Sequence, residues 1–149
     1  HMTYDEARRQ VFGLVEGSLT AGLEGRPPPS VEPLVGDSPS CADAWGVPIV
    51  EEVQPGVDYS FSIEHLGEDP DVFVDVVERF WRQRGYAVTR DDLDPGVPSA
   101  FAVVEGDFNL EVFVNHDTGE VLVGGTGPCV ASPTGSSSLE GEVGDEQQA

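Results

Sequence analysis

The chain has 149 residues, 28 acidic against seven basic, and a formal net charge of -21 with a pI near 4.1. That balance excludes DNA and RNA as partners, because binding phosphate needs a Lys/Arg surface, and it disfavours adsorption to anionic lipid. The length suits one domain with its own core, while 12 prolines and 18 glycines mark much of the chain as turn and connection.

All seven basic residues are arginines (8, 9, 26, 79, 82, 84 and 90), and lysine is absent. With abundant Gly, Val, Pro and Asp, this codon bias points to a high-GC genome: an actinobacterium first, a salt-adapted archaeon second. His1-Met2 reads as an expression-tag remnant. No run is long and apolar enough to span a bilayer.

In chain order, the first element is a helix from Thr3 to about Leu19. Thr3 and Glu6 have capping-box spacing, and Ala7, Val11, Leu14, Val15 and Leu19 follow at helical intervals. Gly22 and Gly25 are expected to end it, so residues 3–25 form the N-terminal helical segment, packed on the core. Residues 26–40, with three consecutive prolines, read as an extended connection hugging the domain surface. Cys41 to Pro48 follows, with Trp45 packed down beside a bridge. Val57 to Leu66 alternates, with Val57, Tyr59, Phe61 and Ile63 on one side and Asp58, Ser60, Ser62 and Glu64 on the other, as in a half-buried strand.

A second helix is predicted over Pro70 to Arg84, with Asp69 as N-cap, Pro70 at the first position and Gly85 as stop. Val72, Phe73, Val76, Val77, Phe80 and Trp81 form its apolar stripe, with Phe73, Val77 and Phe80 as the main sheet contacts. Four strands come next: Tyr86 to Arg90, Ser99 to Glu105, Asn109 to Asn115, and Glu120 to Gly125. The last two are joined by the hairpin turn His116-Asp117-Thr118-Gly119. The fold class is therefore α+β: an antiparallel sheet of four to five strands, helices on one face, core over residues 41–130. Residues 131–149 have nothing to bury and read as a disordered tail.

The two cysteines, Cys41 and Cys129, bracket nearly everything that folds. Cys41 lies in a polar Ser/Pro/Asp segment and Cys129 follows a Gly-rich strand end, so neither resembles a buried thiol. A disulfide between them is expected, and with it an oxidising, extracytoplasmic setting.

Candidate chemistry is sparse. Asp91, Asp92 and Asp94 precede Gly96, but their spacing fails the EF-hand pattern. His65 and His116 lack zinc-ligand spacing. Ser60 and Ser62 lie near His65 without a nucleophile elbow. Gly124-Gly125-Thr126-Gly127 leads to Pro128 and Cys129 instead of a helix, and with no lysine it is not a phosphate loop; its expected role is to let the strand end approach Cys41. No metal, cofactor or catalytic residue is assigned. A carboxylate pair stays open, because so acidic a chain will place some carboxylates side by side.

The combination of a short helix, a Pro-rich linker, Cys41-x-x-x-Trp45, the Asp69-Pro-Asp helix ending at Gly85-Tyr86, and the Asn115-x-x-Thr-Gly-Glu120 hairpin running into Gly-Gly-Thr-Gly-Pro-Cys resembles the mature parts of small actinobacterial surface lipoproteins of the LppA-like kind. The resemblance covers most of residues 3–130. It implies export to the cell envelope, a disulfide, and a lipid anchor on a cysteine outside this sequence. The expected function is a monomeric, non-enzymatic binding module for an envelope protein or component, with Trp45, Trp81 and Tyr86 as contact candidates. The alternatives are a small extracytoplasmic hydrolase using a carboxylate pair and a purely structural envelope protein.

Overall fold

The computed structural model describes residues 2–39 and 41–133. Helix α1 (Tyr4–Leu23) starts at the predicted capping box: Glu6 N–H donates to Thr3 Oγ1, and Thr3 N–H donates to Glu6 Oε1. It runs past Gly22 and ends at Glu24 and Gly25, both at positive φ. Gly22 is therefore not a stop. It lies where α1 crosses the second helix, and a Cβ there would sit 2.5 Å from the Phe73 ring and 2.7 Å from Val77 Cγ2. Gly22→Ala should thus lower stability by about 1–3 kcal/mol through overpacking, despite alanine's better helix propensity. Gly13→Ala, with open space at its Cβ position, should instead raise stability by up to about 1 kcal/mol. Urea titrations of the two variants would separate these opposite signs.

The Pro-rich connection does not stay irregular. Leu34–Ser38 forms strand β1, and β2 (Glu52–Ser62) follows it. The predicted strand over 57–66 is thus displaced toward the N-terminus. Its last four residues, Ile63–Leu66, turn into a 3-10 helix capped by Ser62 Oγ.

Helix α2 (Asp71–Gln83) begins one residue later than expected, with Pro70 at the cap position and no side-chain cap bond from Asp69. Gly85 ends it at φ +82°. Five residues of α2 are buried: Phe73, Val74, Val76, Val77 and Trp81. Val72 faces solvent, and Phe80 is only partly buried, with the Arg84 guanidinium 4.8 Å above its ring. The stripe shifts because α2 packs on both α1 and the sheet, so Val74 is enclosed and Phe80 falls on the rim.

Strands β3 (Ala87–Asp91), β4 (Ser99–Val104), β5 (Phe108–Asn115), β6 (Glu120–Thr126) and the two-residue β7 (Val130–Ala131) complete the chain. The expected four to five strands become six in one antiparallel sheet, ordered β1-β2-β6-β5-β4-β3, with β7 as a seventh pairing with β2. Ala131, placed in the tail by the sequence, belongs to β7; residues 134–149, expected to be disordered, lie outside the described residues, as does His1.

Both helices cover one sheet face. Val57, Tyr59 and Phe61 of β2, Val112 and Val114 of β5, and Val121 and Val123 of β6 form the core beneath them, with Val11, Val15 and Leu19 of α1. Cys41 and Cys129 are disulfide-bonded with Cα atoms 5.9 Å apart. The bond ties the chain leaving β1 to the link between β6 and β7, strands on opposite sides of β2.

Candidate functional site

Side chains alternate across a strand, so the residues between the core positions point to the opposite sheet face, which no helix of the described residues covers. The register places one row across the four central strands: Asp58 of β2 opposite Gly124 of β6, Gly124 opposite Glu111 of β5, and Glu111 opposite Phe101 of β4. Gly124 has a reason to lack a side chain here. A Cβ at this position would overlap Asp58 Oδ1, so the Asp58 carboxylate lies over the glycine, toward Glu111.

Both carboxylates are half-buried. Among the described residues, neither forms an ion pair or accepts a hydrogen bond. Desolvation pushes the Asp58 carboxyl above the ordinary carboxylate range, with a smaller contribution from the Glu120 charge. Desolvation does the same to Glu111, reinforced by the charge on Asp58. Around them lies a shallow recess of about 290 Å³ lined by Phe101, Asn109 and Thr126. It shares Asp58 and Thr126 with a second hollow of about 230 Å³ floored by Gly36 and Gly56. The flanks are apolar: Phe101 and Val103 are 38% and 53% exposed, and Leu122 is paired with Phe113 one row away.

The residues singled out from the sequence go elsewhere. Trp81 is fully buried, its Nε1–H donating to Ser18 Oγ at 2.8 Å, so it offers nothing to a partner. Trp45, expected to pack beside the bridge, is 88% exposed on a loop whose turn is held by Asp43 Oδ1. Tyr86 is partly buried between α1 and α2.

Ser60 donates to Glu120 at 2.6 Å, and His65 Nε2 lies 2.9 Å from the Pro27 carbonyl oxygen, so serine and histidine are engaged apart from each other. His116 Nε2 is 2.6 Å from Asp71 Oδ1, pinning the β5–β6 turn to the start of α2. Asp91 and Asp94 accept backbone N–H bonds from Leu93 and Gly96, and Asp92 pairs with Arg90. The glycines before Cys129 also differ from expectation. Gly124 admits Asp58, Gly125 leaves room for Leu110 and Val15, and Gly127 packs near Pro55 and Ala7.

Cys41, Cys129 and Glu52 are close together, but both sulfurs are consumed by the disulfide and cannot ligate a metal. Within its oxidised form, the thiol pair implies an oxidising compartment. No helix of the described residues is long and apolar enough to cross a membrane. No protein-family model matches the chain, and no curated protein or solved structure matches it either.

Proposed function

We propose that this protein is a non-enzymatic binding domain of the cell envelope, exported and held at the membrane by a lipid anchor, and that its recognition surface is the uncovered sheet face around Asp58, Gly124 and Glu111. The observation that carries the proposal is a pair of half-buried carboxylates with no cation paired to them among the described residues, set in a face that is otherwise partly apolar. Such a pair gains most from an amine or guanidinium supplied from outside, while Phe101 and Val103 give the partner apolar area. The partner is accordingly an envelope protein or component presenting a cationic group beside an aromatic or aliphatic one.

The pair also predicts a pH signature. Both carboxyls titrate above their unfolded values, so their contribution favours the folded state at low pH and is lost as pH rises through the raised values. Glu111→Gln should therefore flatten the fall in stability across the mildly acidic range. For binding, an Arg-Trp-Arg peptide titrated into labelled protein should shift the amides of Gly124, Gly125 and Phe101. Asp58→Asn/Glu111→Gln should weaken it by at least about tenfold. Equal affinity in that double variant, with its fold intact, would sink the proposal.

A hydrolase using the same two carboxylates is the second reading, favoured by their raised proton affinity. General acid–base work on a glycoside needs the two environments to differ, however, and desolvation here pushes both carboxyls the same way. Turnover of a chromogenic glycoside by the native protein, abolished in Glu111→Gln, would establish the hydrolase instead.

A further inference from the structure

A second opening lies on the other side of the molecule, between α1 and α2. Its floor is Leu14, Phe80 and Tyr86, all partly buried against the core. Its α1 wall is bare, because Gly13 and Gly17 face it one turn apart and nothing lies within 4 Å of where their Cβ atoms would be. The result is an open groove of about 350 Å³, within the size range of small-molecule sites.

The rim chemistry is the reverse of the rest of the protein. Arg9 and Arg84 flank the groove. Arg82 and Arg90 are neutralised by Glu78, Asp75 and Asp92, whereas neither Arg9 nor Arg84 has an ion-pair partner among the described residues. In a chain with four acids to every base, two guanidiniums beside an apolar floor make a distinct local field, with Arg9 also acting on the Glu6 carboxylate at α1's start. Arg84 is held there by its stacking on Phe80, which leaves its N–H edges available.

We infer that this groove binds a small amphiphilic carboxylate, its apolar chain or ring on Leu14, Phe80 and Tyr86 and its anionic head between Arg9 and Arg84. The charge pairing excludes the cationic partner assigned to the sheet face, so the two sites take ligands of opposite sign.

Decanoate is a suitable probe, with decanol and decylamine as chain-matched controls. Titrated into ¹⁵N-labelled protein, decanoate should saturate and move the amides of Gly13, Gly17 and Tyr86, with decanol and decylamine each at least about tenfold weaker. Arg9→Gln/Arg84→Gln should lose at least about tenfold in decanoate affinity with its melting curve unchanged. Gly17→Leu, which fills the wall, should lose it with both arginines present. Equal binding of decanol and decanoate by the native protein would overturn the inference whatever the variants do. So would self-association through the Gly13–Gly17 face in sedimentation runs, which would assign the groove to a second copy. Binding to phosphatidylglycerol vesicles without binding of free decanoate would likewise overturn it, in favour of a membrane surface.

Discussion

Removing the Cys41–Cys129 bond should cost about 4–5 kcal/mol, the loop-closure entropy of an 88-residue separation. For a domain of this size that corresponds to a melting temperature lower by roughly 10–20 °C. The bond acts on the unfolded chain, which it shrinks by joining the end of β1 to the β6–β7 link, enclosing every strand from β2 to β6 in one loop. Its native-state packing is one-sided: Cys41, expected from its polar surroundings to be unlike a buried thiol, is enclosed, while Cys129 is exposed. Cys41→Ser/Cys129→Ser should therefore keep the native circular dichroism spectrum at low temperature while unfolding at markedly lower denaturant. A double variant as stable as the native protein would show that the unfolded chain is already compact without the bond.

Trp81→Ala should be comparably damaging, at about 3–5 kcal/mol. The side chain is the largest of those fully enclosed, and its indole N–H completes a buried relay in which Trp81 donates to Ser18 and Ser18 donates to the Leu14 carbonyl oxygen. Truncation opens a cavity at the α1–α2 contact and strips Ser18 of one partner. Ser18→Ala isolates the polar part: it leaves the buried indole donor unpaired, with an expected loss of about 1–3 kcal/mol. Measured by guanidinium titration, the two losses should fall short of additivity, because both variants break the same bond.

The burial of Trp81 depends on where α1 crosses α2, which local sequence does not specify. Local signals were legible: the Thr3–Glu6 box, the alternation at Val57, Tyr59 and Phe61, the Asn115–Glu120 hairpin, and Gly85 as a stop all depend on neighbours within a few positions. The disulfide was legible because the chain contains only two cysteines, each in a polar setting. Features that depend on packing were not. Leu34–Ser38 lies between Pro33 and Pro39 and contains Gly36, so nothing local makes it a strand; it is one because β2 would otherwise leave an unpaired edge. The apolar stripe of α2 was too broad to tell whether Phe80 or Val74 faces inward, since that depends on where α1 crosses. Gly22 reads locally as a terminator, because its reason for being glycine, the Phe73 ring, lies more than fifty positions away. The Asp58–Glu111 pair was the least legible of all. It exists only in the register of β2 on β6 and β6 on β5, and Gly124, which makes it possible, reads on its own as one member of a glycine run.

The strand order carries a consequence for biogenesis. Strands β3 to β6 form one continuous meander, each pairing with its predecessor, so this half can assemble as fast as it is made. Strand β2 is synthesised long before β6, its partner at the sheet centre, and until then it has only β1 along one edge and α1 over its Val57, Tyr59 and Phe61. A chain made N-terminus first thus holds β2 with one edge unpaired until β6 is complete. Oxidation to the correct pair must also wait for Cys129, which follows the last strand of the meander. Folding is consequently completed from the C-terminal side, and a chaperone that shields the unpaired edge of β2 until then would matter more to yield than any assistance given to the meander.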